Sequence, residues 1–327
     1  MFSRNREYPE PVDGGKLIVL TADSSIMSSF GDNAFTAFIC TFPYKLTRRY
    51  VAKYLKGEHN SDGTAKFATY GLRKVEALLV PEFGRENVVV AHPEKLHLFV
   101  GPKTRIVGIN SMDPLGMAYV STTYNTLIGI GGEPLNYYEF RRLLNHPSLK
   151  KYRSNLKIVV GGAGVWQVRD ANMQTELGID VLALGEAEND VVPLFKKILN
   201  NEPVEKFIKF KKTRLELDKV PIILGASSYG CVEITRGCGR GCQFCTPTMR
   251  TKFSFPIEHI MKEVAINVQA GSKCIFIVSD DIFLYQSLPN FRPNREAIVK
   301  LFKSIGNYPG VEHIELSHSS LAPVLCD

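Results

Sequence analysis

The chain has 327 residues, 44% of them hydrophobic and 22% charged, the balance of a globular protein with a sizeable core, and its length favours two domains over one. No apolar run reaches the ~18 residues of a membrane-spanning helix, and the N-terminus, MFSRNREYPEPVDGGK, lacks the apolar centre of a signal peptide, so a cytoplasmic protein is expected. The net charge of +7 is a mild excess, and the 7 cysteines are odd in number and clustered, which argues against a disulfide framework and for metal binding or catalysis in a reducing compartment.

Short β-rich runs alternate with helical patterns, the signature of a parallel sheet with crossover helices. KLIVLTA (16–22) is the first strand, YKLTRRYVAKYLKG reads as a helix closed by Gly57, and ENVVVAH and RIVGINS (105–111) are the next strands. A helix is expected around LNYYEFRRLLN. LKIVVGG (156–162) is a buried strand ending in a glycine pair, and IDVLALGEAE (179–188) is another, followed by the helix DVVPLFKKILN. These make one α/β domain over residues 1–200. Residues 201–226 form a basic linker, within which EKFIKFKKTRLELDK (205–219) carries Lys206, Lys209, Lys211, Lys212, Arg214 and Lys219. That stretch reads as a solvated linker or an edge strand, and its charge is weak support for a nucleic-acid or acidic-partner surface.

A second βα series, residues 227–327, opens with CVEITRG. FPIEHIMKEVAINVQAG places Ile257, Ile260, Met261, Val264, Ala265 and Val268 at helical spacing, with Pro256 suited to the first turn and Gly271 to the C-terminal cap. KCIFIVSDD is a strand, NREAIVKLFKSIG a helix stopped by Gly306, and VEHIELSHSS a third strand. Three strands and two helices do not close a barrel, so this domain is expected to be incomplete and the chain to be truncated at its C-terminal side.

The stretch EITRGCGRGCQFCTP (233–247) holds Cys238, Cys242 and Cys245 in a C-x3-C-x2-C spacing, threaded with Gly237, Gly239 and Gly241. Three thiolates this close suit a soft metal or an iron–sulfur cluster. Structural zinc would need a fourth ligand. Cys231, seven residues before Cys238, and His259 are the candidates, and neither gives the paired layout of a zinc ribbon. Unligated thiols, the other alternative, would be an oxidation liability. A cubane held by only three cysteines keeps one iron open, the mark of a catalytic centre. The glycines let the loop fold tightly, with backbone N–H groups free to face the sulfurs.

This loop follows a first βα-type strand and has Phe244 just before its last cysteine, and it resembles the radical S-adenosylmethionine (SAM) superfamily. The resemblance implies that Cys238, Cys242 and Cys245 hold a 4Fe–4S cluster whose open iron chelates the amino and carboxylate groups of SAM. An electron from the cluster would split SAM into methionine and a 5′-deoxyadenosyl radical, which abstracts a hydrogen atom from the substrate. An electron donor such as ferredoxin or flavodoxin is implied with it. The implied fold is a partial (β/α)6 TIM-like barrel, of which the first half is present. By position, Ser279, Asp280 and Asp281 fall where the family holds the amino end of SAM. Glu315, Ser317 and His318 fall where it contacts the ribose, and Phe244 is counted with the SAM contacts. A helix cap or an ordinary polar loop would account for the same residues.

Ahead of the cysteine loop, VGINSMDPLGMAYVS, VVGGAGVWQ and GIDVLALGEAE resemble, in order and spacing, the Rossmann-like cobalamin-binding domain found before many radical SAM domains. In an open α/β sheet a large planar ligand lies across the C-terminal strand ends, where small residues let the backbone approach. The resemblance implies contacts from Asp113, Leu115, Gly116, Ser121 and Thr122, from Gly161 and Gly162, and from Gly185 and Glu186. Domains that ligate cobalt through histidine use D-x-H-x-x-G, whereas here Leu115 takes the histidine position. Leucine cannot ligate cobalt, so no lower ligand is expected from this loop. A Rossmann-like domain that keeps the shape without the ligand is the alternative.

Together the resemblances imply a cobalamin-dependent radical SAM methyltransferase that methylates an unactivated carbon of a peptide or protein, a lipid or a small metabolite. Ring formation and rearrangement are other outcomes of the same architecture. The alternative is a radical SAM methylthiotransferase acting on tRNA or a ribosomal protein. That type carries a second cluster on three N-terminal cysteines, and only Cys40 precedes Cys231 here. A non-catalytic iron–sulfur or corrinoid-binding module is a third reading. Neither a membrane segment nor, on the leading reading, a nucleic-acid partner is expected.

Overall fold

The structure, a computed structural model, describes residues 8–128, 132–210, 217–243 and 252–320. It divides into two compact units, Met1–Leu215 with Lys219–Leu224, and Glu216–Asp218 with Gly225–Asp327.

The strands of the first unit are β1 (Ile18–Ala22), β2 (Val88–Val90), β3 (Ile106–Asn110), β4 (Lys157–Gly161), β5 (Val181–Leu184) and β6 (Phe207–Lys209). They form one parallel sheet in the order β2-β1-β3-β4-β5-β6. Its helices are α1 (Ser24–Met27), α2 (Tyr44–Leu55), α3 (Tyr70–Phe83), α4 (Tyr119–Ile128), α5 (Leu135–Leu144), α6 (Pro147–Lys151), α7 (Val165–Asp170) and α8 (Val191–Leu199). The central strands are runs of β-branched residues because both faces are covered, so no polar alternation is needed. On one face Ile18, Leu20 and Ile106 pack with Leu72 and Leu79 of α3 and Leu194, Phe195 and Ile198 of α8. On the other, Val19, Val107 and Ile109 pack with Phe140 and Leu143 of α5 and Val165 and Val168 of α7.

Chain order reverses at the sheet centre. From β1 the chain goes to β2 on one side and then crosses to β3 on the other, which leaves a crevice at the C-terminal ends of these strands. β6 lies within the stretch that reads as a basic linker. Of the two readings of that stretch, a solvated linker or an edge strand, Phe207–Lys209 takes the second: it pairs with β5 at the sheet edge, the position where lysines are best tolerated.

The second unit contains β7 (Cys231–Glu233), β8 (Thr235–Arg236), β9 (Phe253–Ser254), β10 (Cys274–Val278) and β11 (His313–Leu316), with α9 (Ile257–Gln269) and α10 (Arg295–Gly306). β7, β10 and β11 form a parallel sheet in chain order, each new strand beside its predecessor, and β8 pairs antiparallel with β9. α9 starts after Pro256 and turns Ile260 and Val264 inward. Its buried Asn267 accepts the N–H of Ser227 at 2.8 Å, tying the helix to the turn that feeds β7. No helix among the described residues is long and apolar enough to cross a membrane.

Candidate functional site

Because β3, β4 and β5 are neighbours, the loops leaving their C-terminal ends lie together. Asp113 organises the first loop. Its Oδ1 accepts from Ala118 N (2.9 Å) and Gln167 Nε2 (2.7 Å), and its Oδ2 from Ser121 Oγ (2.5 Å) and Asn136 Nδ2 (2.8 Å). Gln167, fully buried on α7, returns a bond by accepting Leu115 N at 2.9 Å. Leu115 packs against the core on the α5 and α7 face, so the side chain at the would-be ligand position is turned into the protein. Gly116 sits at φ +68°, and a Cβ there would lie 2.1 Å from Pro134 Cγ. Thr122 is exposed and donates its hydroxyl to Ala118 O at 3.0 Å.

The second loop presses on the first: a Cβ on Gly162, at φ +99°, would lie 2.4 Å from Ser111 O. Gly161 accepts the Ser111 hydroxyl at 3.0 Å. Gly185, at φ +128°, begins the third loop, which also carries Glu186, and stacks closely on Phe210. A cavity of about 70 Å³ opens beneath, lined by Gly108, Gly161, Gly162, Ala183, Gly185 and Leu194 among others. The platform therefore offers backbone and the exposed side chains of Met112, Met117 and Tyr119, with no histidine among them. Asp113 and Ser121 are spent on holding the loop.

In the second unit the chain leaves β7 into the cysteine loop. Gly237, Gly239 and Gly241 lie at φ +72°, +72° and +71°, while Cys238 and Arg240 between them stay out of the left-handed region. Alternation of this kind turns successive N–H groups to one side and makes an anion-binding concavity of the type that holds phosphates and iron–sulfur sites. Only glycine takes it without strain. Cys238 is buried and Cys242 half-buried. Cys245 and Phe244 lie outside the described residues.

Cationic side chains accompany this loop. Arg236 makes a two-pronged pair with Glu233, Nε to Oε1 at 2.8 Å and Nη2 to Oε2 at 2.7 Å. Arg240 pairs with Asp281 at 2.7 Å, and its Nη2 is buried without a hydrogen-bond partner among the described residues. Lys252 contacts the Ser287 hydroxyl, and burial together with neighbouring Arg240 holds its ammonium below the ordinary lysine range.

The strand ends expected to meet SAM converge on the same rim. Asp280 Oδ2 accepts Gly237 N at 2.7 Å. Ser279 is joined to Ser317: its N–H donates to Ser317 Oγ (3.0 Å) and its carbonyl accepts the Ser317 hydroxyl (2.9 Å). Glu315 is half-buried on β11, opposite Phe276, and His318 is exposed, its carbonyl accepting Ile282 N at 3.2 Å. Asp281 is buried and caps the turn at Ile282–Leu284.

The two zinc alternatives are engaged elsewhere. Cys231 lies within β7, and burial, with Cys274 nearby, pushes its thiol up to about 12, far from a thiolate. His259 lies against the Phe255 ring, centroids 4.9 Å apart, and its Nε2 faces Glu263 at 3.6 Å. Gln167, Arg240 and Lys252 escaped the sequence reading. Gln167 alone leaves a signal, a polar residue between Val165 and Val168 on the inner face of a helix.

No protein-family profile matches the chain. It is 28% identical over 183 residues to the ribosomal protein uS12 methylthiotransferase RimO of Dictyoglomus thermophilum, covering 52% of this chain and 39% of that one. It is 31% identical over 170 residues to RimO of Petrotoga mobilis, covering 51% and 37%. The chain thus spans well under half the length of the curated relatives it matches. Among solved structures, the radical SAM methyltransferase TsrM from Kitasatospora setae, with tryptophan substrate and the SAM analog aza-SAM bound, aligns at a TM-score of 0.50 and 12% identity over 88% of this chain and 51% of that one. The same enzyme with cobalamin and a [4Fe-4S] cluster bound aligns at 0.49 and 13% identity over 88% and 52%. With its parallel six-stranded sheet followed by a parallel βα series that opens on the cysteine loop, the chain is similar in fold to the radical SAM methyltransferase TsrM.

Proposed function

We propose that the chain carries the core of a radical SAM enzyme that reductively cleaves S-adenosylmethionine at a 4Fe–4S cluster, and that it is a cobalamin-dependent methyltransferase acting on an unactivated carbon. The observation that carries this reading is the alternation of left-handed glycines with Cys238, Arg240 and Cys242 at the end of the first strand of a parallel βα series. On this reading the first unit, whose sheet extends through β6 (Phe207–Lys209), is the Rossmann-like cobalamin domain, and residues 227–327 are the first βα units of a partial (β/α)6 barrel. The in-order sheet β7-β10-β11 supports the latter.

The residues fit both groups. Cys238, Cys242 and Cys245 would hold the cluster, with the N–H groups of Gly239 and Gly241 free to face its sulfurs, that of Gly237 being given to Asp280. Asp280, bound to the loop through Gly237, and Ser279, Glu315, Ser317 and His318 on the same rim would line the SAM side. The glycine-lined ends of β3, β4 and β5 would hold a corrin face without a protein imidazole below it, since Leu115 packs inward. The chemistry the two groups supply when bound is an electron for SAM cleavage and a carrier for the methyl group. What the chain supplies is a cysteine loop with Cys238 buried and Arg236, Arg240 and Lys252 beside it, Arg236 and Arg240 being paired with Glu233 and Asp281.

The RimO relatives favour a second reading, methylthiotransfer. Against it, Cys40 alone precedes Cys231, so the chain has no second set of three cysteines. Anaerobic reconstitution with iron and sulfide decides between them. About four irons per chain are expected for one cubane, and about eight for two. Cys238→Ala, Cys242→Ala and Cys245→Ala should each abolish uptake, while Cys40→Ala, Cys231→Ala, Cys274→Ala and Cys326→Ala should not. Retention of the cluster in Cys242→Ala would overturn the ligand assignment.

A further inference from the structure

By position Asp281 would contact SAM, yet both its oxygens are spent inside the protein. The side chain is 1% exposed. Oδ1 accepts the N–H of Phe283 (3.1 Å) and of Ser320 (3.3 Å), while Oδ2 accepts the Ser320 hydroxyl (2.5 Å) and meets Arg240 Nη1 at 2.7 Å. The same Nη1 donates to Ser320 Oγ at 2.9 Å. Three segments far apart in sequence meet at this one carboxylate: the cysteine loop, the end of β10 and the segment after β11. Asp280 beside it differs, with Oδ2 bound to Gly237 N and Oδ1 without a hydrogen-bond partner among the described residues.

We propose that Arg240 and Asp281 are positioning residues. They form a clasp that locks the cysteine loop onto the ends of β10 and β11, and Asp281 makes no contact with SAM. The proposal rests on the reading of the loop as the cluster site. Its physical basis is that a buried carboxylate with a charged partner and several donors resists any change in its surroundings, because losing one partner leaves a charge uncompensated. Arg240 stands between Cys238 and Cys242, so holding its guanidinium restricts the loop that carries the two thiols before metal arrives. A flexible loop would have to lose that freedom on binding.

The test loads the full chain with iron and sulfide under anaerobic conditions, then follows iron release to a chelator. SAM affinity of the loaded protein is measured separately by equilibrium dialysis. Arg240→Ala and Asp281→Asn are each expected to speed release by about ten-fold or more, and the double variant to release no faster than the quicker single, since both remove one contact. Arg240→Lys keeps a cation for Asp281 and should restore release to within about three-fold of wild type. SAM affinity should stay within about two-fold, a split that general loosening of the fold would not give. Unchanged release in Asp281→Asn and Arg240→Ala overturns the clasp. So does a large loss of SAM affinity at an unchanged release rate, which would make Asp281 a SAM contact. If Asp281→Asn does not fold, Arg240→Ala, on the more exposed side of the pair, decides alone. A wild-type chain that takes up no iron overturns the cluster reading itself and the clasp with it, an outcome distinct from a loaded wild type and indifferent variants.

Discussion

Burial fixes the protonation of three side chains in the first unit, with opposite consequences for stability. Asp23 follows β1, and burial pushes its carboxyl up to about 7 against hydrogen bonds from Ser25 that favour its charge. Burial pushes His92 and His146 down to about 4. Between about pH 6.5 and 4 the unfolded chain protonates both histidines while the folded chain does not, so they lower stability on acidification. Asp23 keeps its proton in the fold up to about pH 7, whereas the unfolded chain loses it from about pH 4 upward, so Asp23 raises stability on acidification through the same window. Each group contributes at most about 1.4 kcal/mol per pH unit. Asp23→Asn keeps the shape and removes the opposing group. Urea unfolding from pH 4 to 8 should show the variant losing stability on acidification more steeply than wild type, and exceeding wild type above pH 7. Equal slopes would mean that Asp23 is ionised in the fold.

Among elements, α8 was legible because Val191, Leu194, Phe195 and Ile198 keep the period of a helix with one apolar face. The strands β1, β3 and β4 were legible because both sheet faces are covered and the runs are mainly apolar, with Thr21, Asn110 and Lys157 at or near their ends. α3 was not. Leu72, Val75 and Leu79 keep a helical period, but Arg73, Lys74 and Glu76 lie buried among them and Pro81 interrupts the last turn, which obscures the pattern in the sequence. The buried charges are paired: Glu76 meets Arg73 at 2.9 Å and Arg85 at 2.6 Å, and Arg73 also donates to Ala65 O at 2.8 Å. Glu76→Ala leaves Arg73 buried without its carboxylate and is expected to cost roughly 3–5 kcal/mol. Chemical denaturation measures this, and Glu76→Gln should recover part of the loss. The sites divide the same way. The cysteine spacing is local and could be read directly. The duties of Asp113 and Asp281 could not, because the partners that consume their oxygens, Gln167 and Ser320, lie 54 and 39 residues away.

For the whole molecule, each unit has its own core, and each proposed group falls within one unit. The first unit buries apolar residues on both faces of a six-stranded sheet. The second has a three-stranded parallel sheet whose β11 is only half-buried at best, with Leu316 45% exposed, so it is expected to unfold first. A ligand stabilises the unit that binds it in proportion to the logarithm of its excess over the dissociation constant, and leaves the other unit's transition in place. The chain supplies a probe for this: its 1 tryptophan, Trp166, lies on α7 in the first unit. Tryptophan fluorescence should therefore follow the first unit alone, while far-ultraviolet circular dichroism follows both. Under anaerobic conditions, loading with iron and sulfide should raise the earlier transition, seen by dichroism, and leave the fluorescence midpoint fixed. A corrinoid should do the reverse, moving the fluorescence midpoint and sparing the earlier step. A corrinoid that shifts neither would leave the proposed methyltransferase without its carrier, and iron that shifts the fluorescence midpoint as well would mean that the two units unfold as one.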